Sequence, residues 1–106
     1  MTLQKFNYTR SPKLMKLYRT IPCQHCGRED GTVAGCHSNA SAHGKGRGIK
    51  ASDQYAASLC VYCHRIIDLF IGITREQAME IWQAAHDKTI ALLVKSGVWP
   101  KEVPLP

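Results

Sequence analysis

The strongest periodicity in the chain lies near its C-terminus. Met79, Trp82, His86, Ile90 and Leu93 recur at spacings of three and four, and Ala78, Ile81, Ala85 and Leu92 widen the stripe. That pattern predicts a helix with one apolar face. Thr74 with Gln77 forms a capping box, and Gly97 then Pro100 end the run, so the helix is expected over 74–97. Its apolar face is either core or a surface for a second copy of the chain. His86, on that face, reads as a packing histidine. A second helical pattern, with apolar residues at 61, 62, 66, 67, 69 and 70, stops near Gly72. Ser11-Pro12 opens a shorter helix over 11–20, whose Lys13, Lys16 and Arg19 share one face. That face is either simply solvated or in contact with phosphates.

Between these helices the pattern is shorter and partly β-branched. Thr32 to His37 is expected as a strand. Gln54 to Leu59 is a candidate partner, although Ala56 and Ala57 are poor strand formers. Residues 41–53 are rich in glycine and charge and are expected as a loop. Residues 1–10 are expected as an irregular basic arm.

The chain has 106 residues, 44% of them hydrophobic, which fits one domain with a small core. A metal staple is physically useful at this size. No apolar run approaches the ~18 residues of a membrane span. Residues 1–22 carry Lys5, Arg10, Lys13, Lys16 and Arg19 and lack the apolar stretch of a signal peptide. The expected compartment is therefore the reducing cytoplasm, where five cysteines favour metal over disulfides. A formal charge of +6 suits a polyanion such as nucleic acid, or merely keeps the chain soluble.

The cysteines carry the most specific signal. Cys23-Gln24-His25-Cys26 and Cys60-Val61-Tyr62-Cys63 are two Cys-x-x-Cys turns. Each aims two thiolates at one point, and the pair completes a tetrahedral zinc site with no open position. Such a zinc is structural. Haem attachment at Cys60–His64 would leave Cys23 and Cys26 without a role. His64 and Asp68, four residues apart on the second helix, can share a divalent cation. Asp68 could instead pair with Arg65 or face solvent. His37 ends the first strand and is either a proton acceptor or a histidine satisfied by a backbone carbonyl. Lys45, Arg47 and Lys50 stand in a glycine-rich loop that could wrap a phosphate, without P-loop spacing. Asp53, at the end of that loop, could hold it shut by bonding backbone groups. Cys36 is the unpaired cysteine, either a further ligand or a small buried residue.

The stretch Cys-x-x-Cys-Gly, His-Ser-Asn, His-Gly-Lys-Gly, Gly-Ile-Lys-Ala-Ser-Asp and Leu-Cys-x-x-Cys-His resembles the zinc-stapled HNH endonucleases of the ββα-metal type. It is similar to a small prophage-encoded family regarded as nucleases. The resemblance covers roughly residues 11–70. It implies that His37 is the general base, that Asp53 replaces the middle Asn and orients His37, and that His64 binds a catalytic Mg²⁺ or another divalent ion. Two departures stand out. Cys36 occupies the position where many HNH enzymes place an Asp or His ligand, and the middle residue is Asp53 rather than Asn.

The expected fold is thus a single α+β domain. It comprises a basic arm (1–10), a short N-terminal helix (11–20), a zinc-stapled β-hairpin plus helix of the ββα-metal type (21–72) and a long C-terminal helix (74–97). The expected function is metal-dependent hydrolysis of DNA phosphodiesters. A non-catalytic zinc-stapled module binding nucleic acid, and a protein-interaction module using the Trp82 helix face, are the alternatives.

Overall fold

Ser11 begins the first helix as the sequence pattern predicts. In the computed structural model, which describes residues 8–40 and 50–106, Ser11 is extended and its side chain accepts from the N–H of Leu14. With Pro12 at the first helical position, this starts α1 (Pro12–Leu17), which tightens into a 3₁₀ turn at Tyr18–Thr20. Leu14 and Tyr18 turn inward while Lys13, Lys16 and Arg19 stay exposed.

Two short strands follow. β1 (Ala34–His37) and β2 (Ala56–Leu59) pair antiparallel, from Ala34 opposite Leu59 to His37 opposite Ala56. Alternation along a strand sends successive side chains to opposite faces. Cys36, Ala57 and Leu59 pack with Ile67, Ala78, Trp82 and Ala85, whereas Ala56 packs with Leu14, Tyr18, Leu93 and Val103. The hairpin therefore lies between two layers. Small residues let both layers approach: a Cβ on Gly35 would lie 2.6 Å from Tyr18 Cδ2. The same need accounts for Ala56 and Ala57 in β2. Close packing on both faces outweighs their weak strand propensity.

α2 (Val61–Leu69) starts at the second cysteine turn, with Cys60 as its N-cap. It stops where Phe70 adopts a left-handed conformation at φ 53°, and Gly72 turns the chain toward the last helix. α3 (Arg75–Lys95) has both bonds of the Thr74–Gln77 capping box and is followed by Gly97 at φ 73°.

The stripe on α3 differs from the expected one. Ala78, Trp82, Ala85, His86, Thr89 and Leu93 are buried, while Met79 is 53% exposed. Thr89 takes its place because both of its polar demands are met. Its hydroxyl donates to the Ala85 carbonyl and accepts from the Ser58 N–H. Trp82 donates Nε1–H to the Cys36 carbonyl at 2.8 Å and stacks on His86, whose Nδ1 lies 2.8 Å from the Ala56 carbonyl. α3 is thereby bonded to both strands. No helix among the described residues is long and apolar enough to cross a membrane.

Candidate metal centres and active site

The four paired cysteines converge. The Sγ atoms of Cys23, Cys26, Cys60 and Cys63 all lie within 4.8 Å of one another, close enough to hold a metal such as zinc. The first turn closes by a bond from the Gly27 N–H to the Cys23 carbonyl, with Gly27 at φ 80°. The second is the first turn of α2, where the His64 N–H bonds the Cys60 carbonyl. Cys23, Cys60 and Cys63 are buried and Cys26 is exposed. Burial pushes the Cys23 thiol up, but N–H groups of Cys26, Cys60 and His25, together with the Cys26 thiol, outweigh it and bring it down to about 6. Four sulfurs, with no other donor among the described residues, make a sulfur-only set of the kind that zinc takes.

A second group of candidate ligands forms on the helix-facing side of the hairpin. One donor atom each from Cys36, His64 and Asp68 lies within 4.8 Å of the others. His64 Nε2 is 3.0 Å from Asp68 Oδ2, so the i,i+4 pair anticipated on α2 is formed. Asp68 pairs with His64 rather than with Arg65. Asn39 donates Nδ2–H to Asp68 Oδ1 at 3.4 Å. Cys36 is buried beneath them; burial first, and the Asp68 carboxylate second, push its thiol up to about 12. Cys36 is thus both a small buried residue and a member of a ligand cluster. The sequence presented these as alternatives.

His37 faces the other way. Its Nε2 lies 2.9 Å from Asp53 Oδ1. The partner of the imidazole is therefore a carboxylate rather than a backbone carbonyl, and the side chain facing α2 is that of Cys36. Asp53 is itself held on every side. Its Oδ2 accepts from the Ser11 N–H at 2.6 Å, its carbonyl accepts from the Tyr18 hydroxyl at 2.7 Å, and its N–H donates to the Thr9 carbonyl. Burial, then the Asp53 charge, push the Tyr18 hydroxyl up, so it stays a neutral donor.

Arg10 completes this side. It donates to the Ala51 carbonyl at 2.6 Å and the Lys50 carbonyl at 2.9 Å, and stands 3.6 Å from Asp53 Oδ1. Arg10, Ser11 and Tyr18 had no role in the sequence-based site. No local pattern marks them for that role, because their partners there lie some 35–43 residues away along the chain. Lys45 and Arg47 lie outside the described residues; Lys50 is described and exposed.

A cleft of about 660 Å³ opens beside Asp68, lined in part by Asn39, Phe70, Arg75, Met79 and Trp82. No family model, curated protein or solved structure matches this chain.

Proposed function

We propose that the chain is a metal-dependent endonuclease that hydrolyses DNA phosphodiester bonds. The observation that carries this reading is the junction at the end of β1. A carboxylate-bound imidazole and a cluster of cation ligands are contributed there by consecutive residues, His37 and Cys36.

In the neutral imidazole, Nε2–H donates to Asp53 and fixes the tautomer, leaving Nδ1 as the acceptor. His37 would take a proton from water through that nitrogen. Asp53 positions the ring and stabilises the imidazolium that results, while Ser11, Tyr18 and Arg10 hold Asp53. His64 and Asp68 would hold a divalent cation, which supplies positive charge for the developing oxyanion and leaving oxygen. The thiolate cage of Cys23, Cys26, Cys60 and Cys63 would hold structural Zn²⁺ and so fix the start of α2, and with it the direction of His64. Exposed Lys50, with Lys45 and Arg47, would contact backbone phosphates, which gives affinity without base preference.

The test is cleavage of plasmid and branched DNA with Mg²⁺, with Mn²⁺ and without added metal, comparing wild type with His37→Ala. Metal-dependent cleavage that falls by about 10²–10⁴ in the variant supports the reading. DNA binding without cleavage under all these conditions would replace it with the non-catalytic module. One observation favours that second reading: His37 and the Cys36–His64–Asp68 cluster occupy opposite faces of the hairpin. A substrate must cross the end of β1, near Ser38–Ala40, to meet both.

A further inference from the structure

We propose that Cys36 Sγ is the third ligand of a second metal site, with His64 and Asp68, and that this site takes a thiophilic divalent transition cation in preference to Mg²⁺ or Ca²⁺. The inference deepens the endonuclease reading by naming the class of its cation. Only the use of that cation in cleavage rests on the reading; its binding does not.

The three donors come from two rigid elements and already lie within 4.8 Å of one another. Cys36 is held in register by strand pairing opposite Ala57, and its carbonyl is anchored by Trp82 Nε1–H at 2.8 Å. His64 and Asp68 project from one face of α2, whose first turn is part of the thiolate cage. Asn39 donates to Asp68 Oδ1, the oxygen that His64 does not contact. That is the kind of outer bond that orients a ligating carboxylate.

The donor set decides the ion. Mg²⁺ and Ca²⁺ take oxygen ligands, and Mg²⁺ keeps several waters in a near-octahedral shell. A sulfur, an imidazole nitrogen and a single carboxylate suit Zn²⁺, Co²⁺ or Fe²⁺. One thiolate and one carboxylate also balance a divalent charge. Cys36 is 1% exposed and closes the site from below. His64 and Asp68 are partly open to solvent, so positions remain on that side for water or a phosphate oxygen. Binding would break the His64–Asp68 pair and release the Cys36 proton to solvent. The thiolate cage shows the contrast, since its four sulfurs leave no position for a substrate.

The test uses full-length protein carrying one Zn²⁺ per chain, titrated with Co²⁺ while zinc content is followed by elemental analysis. The expected result is a second metal equivalent, bound with zinc retained. It should show a near-ultraviolet sulfur-to-cobalt charge-transfer band and resist a large excess of Mg²⁺. Cys36→Ser should lose that band, and its affinity for the second equivalent should fall on the order of 10²-fold or more, beyond the usual effect of losing an outer-shell partner. His64→Ala, a change at the half-buried surface of α2, should also lose the second equivalent and keep the first. A second equivalent without the band, one removed by Mg²⁺, or none at all would overturn the proposal. Cleavage without the band would overturn it and leave the endonuclease reading standing. The band without cleavage would uphold it and remove that reading.

Discussion

Cys36 and His37 are neighbours in sequence and belong to different layers of the molecule. The face of β1 that carries Cys36 packs against α2 and α3, with the thiolate cage at one end and His64 and Asp68 at the other. The face that carries His37 packs against α1 and holds a single carboxylate, Asp53, through Ser11, Tyr18 and Arg10. One face is built of side chains clustered closely enough to hold a metal. The other is built of hydrogen bonds from Thr9, Arg10, Ser11 and Tyr18 to residues 50–53. Two kinds of construction thus meet at one strand end, and they should fail differently.

The largest effect is expected on the stapled face. Cys60→Ser removes one of four clustered sulfurs at the start of α2, so the cooperative thermal transition should be lost or lowered drastically. Structural zinc in small domains contributes on the order of 10 kcal/mol to folding. Circular dichroism melts with parallel zinc analysis check this. A variant that melts like wild type would show that α2 does not depend on the cage.

Trp82→Ala should cost about 3–5 kcal/mol, the usual range for truncating a large buried aromatic. It empties the contact between α3 and the hairpin and strips the Cys36 carbonyl of its donor. Denaturant unfolding measures the loss. It should leave the His37–Asp53 pair in place in the folded fraction, which histidine and amide NMR shifts would report.

On the opposite face, Asp53→Ala should cost about 1–3 kcal/mol, because the buried Ser11 N–H loses its acceptor. Zinc content should be unchanged. Loss of zinc in this variant would mean that the two faces are not independent constructions. The smallest effect is expected for Tyr18→Phe, which deletes only the donation to the Asp53 carbonyl and should cost about 1 kcal/mol. A loss well beyond that would mean that the hydroxyl does more than donate to the Asp53 carbonyl.

Both faces left marks in the sequence, and the hydrogen-bonded face left fewer, for a physical reason. Cysteine turns, the Thr74–Gln77 box and the Ser11-Pro12 start are local signals, complete within four residues, and each marks its element in the structure. The register of the hairpin is not local. It follows from small side chains that fit between two layers, so Ala56 and Ala57 spoke against the strand they form. Thr89 was overlooked because its burial depends on the Ser58 N–H of another element. His37 and Asp53 were marked from sequence, but their 2.9 Å contact depends on residues 9–11 folding over residues 50–53. Cys36 could be left open only until strand alternation fixed its side.

The central claim is that the two faces act on one phosphodiester in one step. A double-mutant cycle on cleavage rate, with wild type, His37→Ala, His64→Ala and the double variant, tests it most directly. Groups that serve the same transition state are strongly non-additive. The account predicts that each single change lowers the rate by about 10²–10⁴ and that the double variant is little worse than the slower single one. Losses that multiply in full, or a His37→Ala variant that cleaves as fast as wild type, would show that the imidazole and the cation ligands do not share a reaction.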